Sequence, residues 1–195
     1  MQKFKGLYAL CDYQTLQKKD ISLDKFLKIV SKYDTYFIQY RDKLNNLEIQ
    51  KQNIDYLKNN CNIPIIINDH LDLLKYADGL HLGQEDCKAL QDKFNFKDFK
   101  QTIDYLKTQY PNKIFGLSTH NIEEIKVANE LALDYIGLGA YANTSTKDIT
   151  QILGSKISEI ASYSKHPVGA IGGVKIDDRI PNITYNVVGS ALYDN

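Results

Sequence analysis

The stretch Ile65–Asp86, IIINDHLDLLKYADGLHLGQED, restricts the choice of fold more than any other part of the chain. Ile65-Ile66-Ile67 is a continuous apolar run that stops on Asn68-Asp69. A short helical pattern follows. Gly79-Leu80-His81-Leu82 is a second apolar run, and it stops on Gly83-Gln84-Glu85-Asp86. Buried parallel strands read as continuous apolar runs, whereas half-solvated antiparallel strands alternate. The stretch therefore reads strand, helix, strand, with polar groups at the carboxyl end of each strand. Ligands bind at that end in open α/β sheets and in α/β barrels. Asp69 and Asp86 arrive there from adjacent strands, placed to share one hard cation such as Mg²⁺. The competing reading is helix capping, because Asp69 precedes Leu71–Tyr76 and Asp86 precedes Lys88–Leu90.

The same unit recurs along the chain. GLYALC (closed by Asp12), YFIQY, KIFGLS, DYIGLG, PVGAI and NVVGSA are further apolar runs, making eight strand candidates with the two above. Helical patterns separate most of them. Ser22 precedes Leu23, Phe26, Leu27 and Val30 at helical spacing. Further patterns cover Leu47–Leu57, two short helices between Cys87 and Pro111, Ile122–Leu131 and Ile149–Tyr163. Strict alternation implies a parallel sheet with right-handed crossovers, and eight units close into a (β/α)₈ TIM barrel. Such barrels typically run to about 250 residues, so a single-domain barrel over 1–195 is trimmed. The trimming falls at the C-terminal side, with a short seventh helix around Lys175–Thr184 and no eighth helix. The outer faces of strands seven, eight and one are expected to lie partly uncovered, and a homodimer is the expected cover.

Lys and Arg number 24 against 24 Asp and Glu, which argues against a nucleic-acid partner, since such binding runs on excess cation. No apolar window approaches the length of a membrane span, and the first residues carry too short an apolar run for a signal peptide. The expected compartment is the cytoplasm. Cys11, Cys61 and Cys87 lack C-x-x-C spacing and read as reduced structural thiols.

The remaining strand ends carry cations, hydroxyls and glycines. Gln39, Arg41 and Lys43 alternate at the end of the second strand and point one way, a pattern suited to an anion and equally to a solvated strand end. Ser118-Thr119-His120 follows the fifth strand; Ser118 can donate to a phosphate or a ring nitrogen, and His120 can exchange a proton near neutral pH or act as a surface cap. His81 faces either the barrel core or its mouth. Thr144-Ser145-Thr146-Lys147 suits a second polyanion contact or a polar capping loop. Gly172-Gly173 and Gly189-Ser190 fall after strands seven and eight, where barrels build a phosphate site from backbone N–H groups. Two anion sites at one barrel mouth fit an enzyme joining a diphosphate-bearing to a monophosphate-bearing small molecule.

Gln39–Lys43, Asn68-Asp69, His81–Asp86, Gly116–His120, Asp134–Gly139, Thr144–Lys147 and Ala170–Gly173 together resemble the serial motifs of thiamine phosphate synthases, in the family's order. The resemblance implies Mg²⁺-dependent transfer of a hydroxymethylpyrimidine from its diphosphate to the nitrogen of a thiazole phosphate. It implies that Arg41, Lys43, Asn68 and Lys147 hold diphosphate and that Asp69 and Asp86 hold Mg²⁺. By the same resemblance Gln39, His81, Gly83 and Ser118 contact the pyrimidine, Thr144 and Thr146 the thiazole, and Gly173 and Ser190 its phosphate. The thiazole tautomerases (TenI-like proteins) share the barrel, and His120 matches their working histidine. A non-catalytic thiazole phosphate-binding protein is the third reading. The segment Gly139–Asn143 departs from the family's usual proline and aromatic.

Overall fold

The computed structural model describes residues 4–143 and 152–193. Eight parallel strands close into a barrel in sequence order. They are β1 (Gly6–Asp12), β2 (Thr35–Arg41), β3 (Ile65–Asn68), β4 (Gly79–Leu82), β5 (Ile114–Thr119), β6 (Tyr135–Gly139), β7 (Val168–Ile171) and β8 (Tyr185–Val188). Closure is the β1–β8 pair, in register from Gly6↔Tyr185 to Ala9↔Val188. The helices are α1 (Tyr13–Lys18), α2 (Leu23–Val30), α3 (Leu47–Asn60), α4 (Gln84–Lys93), α5 (Phe99–Gln109), α6 (Ile122–Ala128) and α7 (Ile157–Ala161). Short polar side chains start five of them, Asp12 at α1 among them. Ser22, Asn46, Asp98 and Asn121 each accept the backbone N–H three residues on, which satisfies a donor that the helix leaves unpaired.

Two layers of packing follow from the strand alternation. The outward side chains join the helices in one large core that includes Leu7, Ile38, Ile65, Leu80, Phe115 and Ile136. The inward ones form a separate cluster of Tyr8, Phe37, Ile66, Tyr135, Tyr185 and Val187. Barrel interiors are usually filled by branched aliphatics. Here four aromatic rings fill it, with Tyr8 and Tyr135 5.6 Å apart at 76° and Phe37 and Tyr185 5.5 Å apart. Gly116 makes this possible, since a Cβ there would lie 2.2 Å from the Tyr135 ring.

The C-terminal side differs from the expectation of an open face. Among the described residues β8 is followed by a 3-10 turn, Ser190–Tyr193, and no helix lies between β7 and β8. Yet Val168, Ala170, Asn186 and Val188 are buried. The chain covers its own strands. Val174 and Ile183 of the connecting segment 172–184 pack into the core. The Asn186 amide donates to the carbonyls of Lys175, Ile176 and Asp178 and ties that segment down. Leu192 is buried, and the Tyr193 hydroxyl donates to Leu10 O over 2.9 Å. The uncovered strands that motivated a dimer are therefore absent among the described residues. The helix expected over Ile149–Tyr163 is shorter within them, a 3-10 turn at Gly154–Lys156 and then α7. Gly154 has φ +53°, outside helical geometry.

Candidate active site

The carboxyl ends of β3 and β4 place the acid pair. Their register sets Asn68 beside His81. Asp69 follows in the left-handed region, φ 64°, which aspartate tolerates better than most residues. Its N–H donates to His81 O over 2.9 Å, and its carboxylate accepts from Gly83 N over 3.3 Å and from the Asn68 amide. Asp69 is not a cap: the 3-10 turn Leu71–Tyr76 begins after His70 without a side-chain capping bond. Asp86 lies in the first turn of α4, and Gly83, which precedes that helix, provides no side-chain cap. A Cβ on Gly83 would meet Asp86 Oδ2 at 2.6 Å, so this glycine lets Asp86 fold back toward Asp69. Burial first, and then the Asp86 charge and hydrogen bond, push the Asp69 carboxyl up to about 6, with Lys43 pulling the other way.

Two adjacent carboxylates that are not spent on caps are a hard-oxygen donor set. No cluster of three or more His, Cys, Asp or Glu arranged to hold a metal occurs among the described residues. Mg²⁺ does not need one, because it keeps waters and commonly takes one or two carboxylates plus substrate phosphate. Asp69 and Asp86 fit that ion.

The cationic strand end is built on buried acids. Arg41 Nη1 pairs with Asp12 Oδ2, and Asp12 Oδ1 also accepts Thr15 N over 2.9 Å and the Thr15 hydroxyl over 2.7 Å. Asp12 therefore starts α1 and orients Arg41 at once. Asp42 is buried, which by itself raises its carboxyl; hydrogen bonds from Tyr40, Asn45 and the N–H groups of Leu44 and Asn45 outweigh that and hold it low. This clasp shapes the loop that carries Lys43, which is exposed.

Inside the barrel, three of the expected residues are joined through two tyrosines. Gln39 Nε2 donates to Tyr8 Oη over 2.8 Å, and Tyr8 Oη lies 2.7 Å from Tyr135 Oη. Tyr135 Oη is 3.0 Å from His81 Nδ1, and His81 Nε2 is 2.9 Å from Ser118 Oγ. His81 thus faces the barrel interior. The Gln84 amide donates to Ser118 O and fixes the strand end from the α4 side. His120 sits apart, at the start of α6, where its N–H and Nδ1 both lie 2.9 Å from Glu124 Oε2.

Gly172 and Gly173 have φ of 85° and 68° and lie against the segment after β6, where Tyr141 N donates to Ile171 O and Ala142 N to Gly172 O. A side chain at either glycine would strike Ala140 or Ala142. Ser190 opens the turn after β8, the strand paired with β7, so Gly173 and Ser190 occupy neighbouring strand ends. Thr144, Thr146 and Lys147 lie outside the described residues. Asp12, Tyr8 and Tyr135 carried no functional signal in the sequence. A tyrosine within an apolar run reads as core, and only the cross-strand register shows which polar tips meet.

The family described as thiamine monophosphate synthase matches residues 7–194. A thiamine-phosphate synthase of Picrophilus torridus is 32% identical over 98% of this chain and 90% of its own length. One from Persephonella marina is 33% identical over 87% of this chain and 77% of its own. Among solved structures, a thiamine phosphate pyrophosphorylase from Pyrococcus furiosus superposes with TM-score 0.69 at 23% identity, covering 96% of this chain and 86% of that one. A tryptophan synthase α-subunit from the same organism superposes with TM-score 0.60 at 12% identity. These two likenesses speak to the fold alone.

Proposed function

The chain belongs to the thiamine monophosphate synthase family, and on that premise we propose that it couples hydroxymethylpyrimidine diphosphate to thiazole phosphate, releasing diphosphate. The observation that carries the proposal is the spacing at the carboxyl end of β4. His81, within the buried hydrogen-bonded chain, and Gly83, on which both acids converge, are two residues apart. Two strand residues span about 7 Å. That distance suits a substrate with an aromatic ring at one end, a diphosphate at the other and the reacting carbon between them.

Each residue then has a task. Gln39, His81 and Ser118 hold the pyrimidine ring in the interior, and Gly83 lets it approach the backbone. Arg41, oriented by Asp12, reaches the diphosphate with Lys43 and Asn68. Asp69 and Asp86 would hold Mg²⁺, which when bound neutralises charge on the departing diphosphate. The C–O bond breaks, both its electrons leave with diphosphate, and the thiazole nitrogen lone pair closes on the exocyclic methylene carbon of the pyrimidine. No base is needed for departure, so preorganised positive charge is the main demand. Gly173 and Ser190 face the thiazole phosphate with backbone N–H groups. By the family resemblance Lys147 would join the diphosphate cations, and Thr144 and Thr146 would contact the thiazole; all three lie outside the described residues.

The test is a coupling assay with both substrates and Mg²⁺. Thiamine phosphate and diphosphate are expected in equal amounts, and Asp69→Ala or Asp86→Ala is expected to remove the Mg²⁺-dependent turnover. Full turnover in either variant would remove the metal assignment. One observation favours a second reading, a thiazole tautomerase: His120 Nδ1 is engaged by Glu124, the pairing that orients an imidazole for proton transfer. Thiazole aromatisation without any coupling would select it.

A further inference from the structure

We propose that Gln39, Tyr8, Tyr135, His81 and Ser118 form a one-way hydrogen-bond relay that fixes His81 as its Nε2–H tautomer and leaves the Ser118 hydroxyl as a donor toward the bound ring. Tyr135 is then a positioning residue for the proposed reaction, although it need not touch substrate, and Tyr8 donates to it from behind.

Proton counting sets the direction. Gln39 presents its Nε2 to Tyr8 Oη, so that oxygen already accepts a hydrogen bond. Each phenol has one proton to place. The acceptor within reach of the Tyr8 proton among the described residues is Tyr135 Oη at 2.7 Å. Tyr135, having accepted, places its own proton on His81 Nδ1 at 3.0 Å. An imidazole that accepts at Nδ1 carries its proton on Nε2 when neutral, and that proton goes to Ser118 Oγ at 2.9 Å. Ser118 then has its hydroxyl proton left, with no acceptor among the described residues, on a half-buried strand end. The opposite polarity would leave the Tyr8 proton without an acceptor in the barrel interior, and a buried donor without a partner is costly.

The surroundings hold the relay in place. Tyr8, Gln39, His81 and Tyr135 are all buried. Burial pushes both phenols well up from their ordinary range, so their protons stay. The His81 ring stacks on Tyr135 with centroids 5.5 Å apart at 21°. A Cβ on Gly137 would lie 3.2 Å from His81 Cε1, so this position admits the ring closely. The consequence is specificity. Ser118 offers a donor, so the ring it meets must offer an acceptor such as an unprotonated ring nitrogen. An analogue with a C–H there should bind poorly, because the hydroxyl would lose its partner.

The direction of donation at Ser118 rests on the pyrimidine reading above, but the tautomer is a property of the protein alone. Nitrogen-15 NMR of His81 in the full chain, without substrate, reads it directly. The wild type is expected to show a protonated Nε2 and an accepting Nδ1. Tyr135→Phe should collapse that difference, while Tyr8→Phe, which keeps the Tyr135 donor, should preserve it. A protonated Nδ1 in the wild type, or unchanged nitrogen shifts in Tyr135→Phe, would overturn the relay whether or not the protein couples the two substrates. In turnover, Tyr135→Phe is expected to raise KM for the pyrimidine diphosphate about ten-fold with a smaller change in kcat. Because Tyr135 acts through Ser118, the double variant with Ser118→Ala should lose no more than Ser118→Ala alone. Fully additive losses would mean that Tyr135 acts elsewhere.

Discussion

Asp69 joins several physical effects in one residue. Its left-handed backbone points its N–H at His81 O and turns its carboxylate toward Gly83 and Asp86. Burial and the second carboxylate raise it to about 6, against about 3.9 in an open chain. Without metal, the fold holds this proton more tightly than the unfolded chain does. Asp69 therefore adds stability below about pH 4 and loses that contribution as the pH rises through about 6. Mg²⁺ needs the ionised form, so its affinity should run the other way. Millimolar Mg²⁺ is expected to raise Tm clearly at about pH 8 and hardly at about pH 5, measured by thermal melts at both values. An equal rise at both would show that Asp69 is not a ligand. The pairing of Asp69 with Asp86 was legible in the sequence from two polar strand ends. Its raised carboxyl was not, because that depends on how far Gly83 lets Asp86 fold back.

The β1–α1 junction shows how one element can set up another's chemistry. Asp12 ends β1, starts α1 through Thr15 and pairs with Arg41 on the neighbouring strand, whose register places Asp12 opposite Arg41. Asn serves about as well as Asp in a helix cap but carries no charge for a guanidinium. Asp12→Asn is therefore expected to keep α1 while loosening Arg41. KM for the pyrimidine diphosphate should rise roughly ten-fold with a smaller change in kcat, read by steady-state kinetics. An unchanged KM would mean that Arg41 is held by other groups. The helix announced by Ser22 was legible: the sequence pointed to α2, and the structure bears it out. α1 was missed, since its cap Asp12 looked only like the end of an apolar run.

At the level of the whole barrel, closure is achieved with no helix between β7 and β8 and no α-helix after β8 among the described residues. Asn186 lies on the outward face of β8, where a helix would normally pack, and its amide holds the carbonyls of residues 175, 176 and 178. Its Oδ1 is buried without a partner, a cost set against three hydrogen bonds. Asn186→Ala should destabilise the protein by about 2 kcal/mol, read from urea unfolding, with faster amide exchange in β7 and β8. An unchanged midpoint would mean that Val174 and Ile183 hold the segment by packing alone. Eight apolar runs in alternation with helical patterns were enough to determine the barrel and the end of it that gathers the candidate site, because strand burial and helix periodicity are local properties of the chain. Residue identities at the strand ends also marked the acids, cations and glycines of the candidate site. The self-covered C-terminal face, the Asp12 support of Arg41 and the tyrosine relay were decided by tertiary structure alone. Each depends on which side chains meet across strands distant in sequence, and that is set only when the sheet closes and its register brings Tyr8, Gln39, His81, Ser118 and Tyr135 into one dry interior.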